Sequence, residues 1–363
     1  MSISFFKNLT QADRTTSRTL LHENIPITGT LVSGTYEEVP STGREVNIKT
    51  FSHGMFQSVY DYPYQSSSAN HIFDIAVGVS TSTGSLSGST PGITSQLSKK
   101  VNIYNQMAQV LAGFDTGSVV RHFDADGDLS DESSNTKHHD AIFLNFSRLL
   151  VKDEIKKGSF SAVLGTNANY EDPFDSEVTI TDAAAANSYF INSPAGEYGI
   201  LKKSSDNSNV GLIYYQAGVA ILTSSVFGTA SMDKGMPASG TPVPRSMESL
   251  MTGSVIDDSA DAIRHRIKNI QFNNTTELNS TIYFCRANHY EFNYSANPTY
   301  LSESKIRVKE IPGTSEKFNL PRSYITTVGL YSQDNQLLAV AKLSEPLRKD
   351  PTNELTLRVR LDY

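Results

Sequence analysis

"YITTVGLYSQDNQLLAVAKLSEPLRKDPTNELTLRVRLDY", Tyr324 to Tyr363, closes the chain and carries its most regular apolar patterning. Ile325 to Tyr331 is a β-branched and aromatic run, Ser332 to Gln336 is turn chemistry, and Leu337 to Leu343 is a second apolar run. Together they predict a hairpin. Pro346 and Pro351 then bracket a basic loop. Beyond it Leu355, Leu357, Val359 and Leu361 fall on one face, and Glu354, Thr356, Arg358, Arg360 and Asp362 on the other. A period of two predicts a strand with one buried face. Burying each of the four apolar side chains is worth about 1.5–3 kcal/mol, so these four are expected core and the end of the chain is expected to be pinned in a sheet.

Working outward, the same signals recur. Strands are predicted at Ala141–Val151 and Phe160–Leu164, joined by "KDEIKKGS", and at Val178–Ile180, Tyr198–Leu201 and Ile282–Arg286. Val210 to Phe227, "VGLIYYQAGVAILTSSVF", is uncharged and of borderline spanning length. Gly211, Gln216, Gly218 and the Thr223-Ser224-Ser225 run interrupt it, and Ala217-Gly218 sits where a hairpin turns, so a buried hairpin is predicted in place of a membrane helix. The best helix is Val101–Leu111, within a helical stretch near 101–112. There Ile103, Met107, Val110 and Leu111 share one face and Gly113 caps the end. A weaker helix covers Ser246–Leu250 and extends to Met251. The fold class is therefore mainly β with minor helices, an α+β chain of antiparallel sheets or a sandwich.

Residues 1–55 are polar and weakly periodic, which predicts an extended N-terminal arm. A β-rich domain is expected over 56–238 and a C-terminal β domain over 245–363, with Gly235–Pro244, "GMPASGTPVP", as the linker. Ser80–Gln96 is almost wholly Ser, Thr and Gly, the composition of a long mobile loop.

The totals narrow the function. A net charge of −7 disfavours a nucleic-acid groove or an anionic membrane surface, since both need clustered Lys and Arg. Cys285 is the one cysteine, so neither an intrachain disulfide nor a cysteine metal cluster is available, and a reducing compartment is expected. "MSISFFKNLTQADRTTSRTLL" lacks the pattern of a secretory leader. With 17 Tyr, 17 Phe and abundant neutral polar residues, the chain is well supplied with amphipathic contact area.

Catalytic chemistry is thin. In "FDADGDLSDE", Phe123 to Glu132, the residues Asp124, Asp126 and Asp128 alternate like the first ligands of a calcium loop. The comparison fails at the sixth position, Leu129, and at the twelfth, Asn135, so a solvated acidic turn is the plainer reading and these three are the weak metal candidates. His138 and His139, with Asp140 beside them and His122 upstream, lack a zinc-hydrolase spacing; surface exposure or intermolecular packing is expected of them. Ser302–Lys305 matches S-x-x-K and Ser205-Asp206-Asn207 a second motif of penicillin-recognising enzymes, but in reversed order and without a third element. "GSLSG" at Gly84–Gly88 places Leu86 where a nucleophile elbow needs serine. No phosphate loop or dinucleotide fingerprint is present. No catalytic residue, cofactor or cofactor-binding residue is expected.

"ITTVGLYSQDNQLLAVAKLSEP" with "ELTLRVRLDY" resembles a region of tail and baseplate structural proteins of tailed bacteriophages. "HGMFQSVYDYPYQSSSANHIFDI", "KKVNIYNQMAQVLAGFD", "FLNFSRLLVKDEIKKGSF" and "GLIYYQAGVAILTSSVF" are similar to virion proteins of contractile-tailed, cyanophage-like phages. These blocks span much of the chain. The resemblance implies a non-enzymatic structural subunit of the tail, a baseplate wedge component first, assembled in the host cytoplasm and found in the virion. It implies other tail proteins and further copies of the chain as partners, without nucleic acid or membrane insertion. Tyr363 and the N-terminal arm are then contact candidates. The alternatives are a receptor- or glycan-binding fibre or spike component, a neck or head protein, or a tail-borne envelope hydrolase.

Overall fold

The computed structural model describes residues 6–33, 45–80, 95–115, 117–128, 137–169, 172–228, 230–232, 245–253, 255–294, 301–302, 305–306 and 321–363. The Gly235–Pro244 linker and residues 81–94 of the Ser/Thr/Gly stretch lie outside them, as do Leu86, Leu129 and Asn135. Among the described residues strands hold 48% against 18% in helices, so the protein is mainly β, with a large antiparallel sheet and five short α-helices in the described part.

In chain order the strands are β1 (Arg14–Thr28), β2 (Ile48–Thr50), β3 (Gln57–Tyr60), β4 (His71–Val79), β5 (Phe123–Asp124), β6 (Lys137–His138) and β7 (Asp140–Phe146). They continue with β8 (Glu154–Ile155), β9 (Ser161–Gly165), β10 (Glu177–Thr181), β11 (Phe190–Ser193), β12 (Gly196–Lys203), β13 (Asn209–Tyr214) and β14 (Val219–Leu222). The last are β15 (Ser231–Met232), β16 (Arg245–Ser246), β17 (Ile267–Ala287), β18 (Leu301–Ser302), β19 (Lys305–Ile306), β20 (Ser323–Tyr331), β21 (Leu337–Lys349) and β22 (Leu355–Asp362). The helices are α1 (Gly29–Ser33), α2 (Ser95–Leu111), α3 (Arg148–Val151), α4 (Met247–Thr252) and α5 (Ile256–Arg264).

The chain forms two compact units: a central one, Leu20–Thr276, and a terminal one that joins Met1–Thr19 to Glu277–Tyr363. In the central unit the strand order runs from the first part of β17 through β9, β10, β12, β13, β14, β7, β4 and β3 to β2. Helices α2, α4 and α5 pack on β4. The hairpin expected in Val210–Phe227 is β13–β14, paired from Gly211↔Leu222 to Tyr214↔Val219. Nearly all of it is buried, which is why it reads as one continuous apolar run. Its turn needs Gly218, at φ +69, where a Cβ would lie 2.8 Å from Val151 Cγ2.

Local details differ from the sequence reading. The Ala141–Val151 run is strand only to Phe146 and then turns into α3, because Val151 folds back into the core. β7 pairs with β14 and β4, and β9 with β17 and β10. On α2, Ile103 and Leu111 are buried and Met107 packs partly buried against the core as expected, but Val110 is 64% exposed, and Leu97, Lys100, Tyr104 and Ala108 complete the buried stripe. Val110 lies about 120° around the helix from Tyr104, and the stripe contains a lysine and a tyrosine that a hydrophobic count passes over. Helix α5, amphipathic and absent from the sequence reading, buries Ile256, Ala260 and Ile263.

Two buried cations organise this helical layer. Lys100 Nζ donates to the carbonyls of Leu250 and Met251 at the end of α4, at 2.5 and 3.0 Å, and approaches Ser259 Oγ at 3.4 Å. Burial draws its pKa down to about 8 against the opposing pull of Asp258. Arg264 is fully buried and donates to Gln57 Oε1, Val32 O and Asp261 Oδ1. Burial alone would raise the Glu45 carboxyl, but His265 and Arg264 hold it down at about 2.

The terminal unit is built differently. The predicted hairpin is β20–β21, but β21 runs on through Pro346 to Lys349, so the basic loop between the prolines is shorter than expected. β22 pairs with β17 without a break from Ala287↔Leu355 to Ser280↔Asp362. Its alternation is as predicted, yet Leu355, Leu357, Val359 and Leu361 are half-buried and not core. β17 is its one paired neighbour among the described strands, and Leu357 lines a groove. Ala287 and Leu330 are the buried apolar side chains among the described residues of this unit.

Candidate functional site

The weak metal candidates do come together. Asp124 closes β5 opposite Lys137 on β6, and Asp126 and Asp128 follow in the turn, with carboxylate oxygens of all three within 4.8 Å of one another. Asp124 is buried, whereas Asp126 and Asp128 are exposed. Neighbouring strands tie the turn by its carbonyls: Asn192 Nδ2 and Tyr198 OH donate to Gly127 O, and Asn209 Nδ2 donates to Ala125 O at 2.8 Å. Burial, and then these carboxylates, push the Tyr198 hydroxyl up to about 12, so it remains a donor. Lys137 Nζ stands 3.5 Å from Asp124 Oδ1, both nearly buried, and supplies the cation that a metal would otherwise bring.

The histidines are not on the surface. His138 and His139 are 7% and 4% exposed, because β6 and the start of β7 fold over Tyr104, whose hydroxyl donates to His138 O at 2.6 Å. Burial lowers His138 to about 4. His139 Nδ1 lies 3.0 Å from Ser80 Oγ, and the Asp140 carboxylate accepts from the Ser224 N–H, so that carboxylate does not orient the pair. Ser58, His71 and Asp74 also meet, but the serine donates to the carboxylate at 2.5 Å, which leaves no Ser-to-His proton path there. Ser205-Asp206-Asn207 is the turn between β12 and β13, with Asp206 Oδ1 accepting from Ser208.

Sequence reasoning overlooked a groove of about 1060 Å³ in the terminal unit. One wall is the N-terminal segment, where Phe6 meets Tyr331 edge to face at 4.9 Å and Lys7 pairs with Glu291 at 2.6 Å. Thr10 then caps a short turn by donating from N and Oγ1 to Asp13 Oδ2. Much of the lining is β20, and Phe292 and Tyr294 come from the loop after β17, "NHYEFNY", Asn288 to Tyr294. Phe292 holds φ +55, a backbone region costly for a bulky side chain, and its carbonyl accepts from the Ser323 hydroxyl. Lys349, fully buried, fixes the loop from beneath by donating to His289 O, Asn293 Oδ1 and Asp350 O at 3.2, 2.7 and 2.9 Å. The loop is thereby set in place with Tyr290, Phe292 and Tyr294 still exposed. The legible signal was the alternation of aromatic and polar residues in "HYEFNY".

Neither a family model, nor a curated protein, nor a solved structure matches the chain. The fold thus defines a mainly β protein of the α+β class whose terminal unit carries a fixed aromatic groove.

Proposed function

We propose that the chain is a non-enzymatic structural subunit of a contractile phage tail, in the baseplate wedge, working through docking surfaces. One observation carries the assembly part: the terminal unit leaves Tyr324, Tyr331, Leu337, Leu338, Val340 and Tyr363 exposed while burying two apolar side chains among its described residues. Apolar exposure on that scale, on paired strands, is the mark of a surface completed by a neighbour. The phage assignment rests on the sequence resemblance of the C-terminal hairpin and last strand.

The test is a label at the exposed Tyr363, read by electron microscopy of assembled particles. Label at the baseplate supports the reading; label at the head or neck, or none on the particle, overturns it. A glycan array with purified protein separates the receptor-binding alternative, since a wedge subunit binds nothing there.

A further inference from the structure

The two units differ sharply in charge. The terminal unit has 14 Lys and Arg against 11 Asp and Glu, whereas the central unit has 17 against 27. The groove concentrates that contrast: among the described residues its charged lining is Lys7, Arg14 and Arg286, without a carboxylate. Lys7 and Arg286 have carboxylates of their own, Glu291 at 2.6 Å and Asp13 at 3.4 Å. Arg14 is exposed and has no ion-pair partner among the described residues. An occupant complementary to this groove offers an aromatic side chain flanked by acids.

The chain itself carries such a segment on the central unit. Phe174, 37% exposed, stands in the loop before β10 with Asp172, Asp175 and Glu177 exposed around it. Tyr62, Tyr64, Phe114 and Tyr189, the other exposed aromatic side chains described there, have at most one acidic residue within three positions. Glu177 is engaged by Lys268, but no side-chain partner holds Asp175 among the described residues.

The geometry points to a docking site for a second copy of this chain: the Asp172–Glu177 loop of one copy inserts Phe174 into the aromatic groove of the next, with Asp175 against Arg14. This rests on the assembly reading proposed above and names its self-contact. The two surfaces differ, so the contact is head-to-tail and propagates into a ring or a filament.

The experiment uses the purified full-length chain in sedimentation velocity across a concentration series, at about 50 mM and about 500 mM salt. Wild type is expected to self-associate and to weaken at the higher salt. Arg14→Glu and Asp175→Arg, each with an unchanged thermal midpoint, are expected to weaken association about tenfold or more. The double variant, which re-forms the pair with reversed charges, restores it. A wild type that stays monomeric, single variants that associate as wild type does, or a correctly folded double variant that fails to recover each overturn the inference. Association indifferent to all three variants sinks the groove–loop contact and leaves the assembly reading intact, because the particle label does not depend on Arg14.

Discussion

The N–H of Tyr363 donates to Asn279 O at 2.8 Å, and the N–H of Asn279 donates back to Tyr363 O at 3.1 Å. The last residue of the chain is therefore inside the ladder, and its hydroxyl lies 3.2 Å from Thr281 Oγ1. Main-chain pairing, with only half-covered apolar side chains, is what pins this terminus.

Deleting Leu355–Tyr363 removes that ladder and leaves the edge of β17 from Ser280 to Ala287 unpaired. The central unit has its own core and is expected to keep its thermal transition, while the terminal unit loses cooperative melting and the protein aggregates. Calorimetry reads both. A truncated chain with both transitions intact would refute the assignment of β22 as the terminal unit's staple.

Lys100 titrates at about 8 in the folded chain against its ordinary 10.5. Between those values the unfolded chain keeps a proton that the folded chain has shed, so this group makes stability rise with pH from about 8 to 10.5. The rise is worth about 3 kcal/mol. Lys100→Met is expected to flatten it and also to destabilise at neutral pH by leaving Leu250 O and Met251 O unsatisfied. Urea unfolding at pH 7.5 and pH 10, followed for both proteins, provides the comparison. Equal slopes would count against a charged Lys100 in this site.

His138 works at the acid end. Its folded value of about 4 lies below the ordinary 6.5, so the unfolded chain binds the extra proton in that window and stability falls as pH drops through it. The loss amounts to about 3 kcal/mol. His138→Gln should remove that component, visible as a shallower loss of unfolding midpoint between pH 6.5 and 4. An unchanged acid profile would mean that His138 is not the buried neutral group described.

Calcium is expected to leave the thermal midpoint where it is. The Lys137 ammonium already compensates Asp124, and Asp126 and Asp128 face solvent. Differential scanning fluorimetry with millimolar calcium against chelator is sufficient. A rise of several degrees, lost in Asp126→Asn, would make the turn a cation site.

Much of the fold was legible because its signals are local. The β20–β21 hairpin, the turn at Gly218 and the alternation along β22 follow from period and turn chemistry within a few residues. The stripe of α2 was read only in part because two of its buried members, Lys100 and Tyr104, are held by partners 19 to 159 residues away. Nothing within the helix announces those partners. The candidate site was hidden for the same reason: Phe6, Phe292 and Tyr331 are far apart in sequence and become one wall system only when the N-terminal segment lies beside the β20–β21 hairpin.

Composition and periodicity were enough for a mainly β chain and for strands such as β13, β14, β20 and β22, whose pattern is written in their own residues, but not for β1, β4 or the first part of β17. Which strands become neighbours, how fully an apolar stripe is covered, and whether scattered aromatic and cationic side chains share a groove were decided by tertiary structure alone. Those outcomes require long loops to close and a second surface to arrive, and both are non-local events that no short window of residues contains.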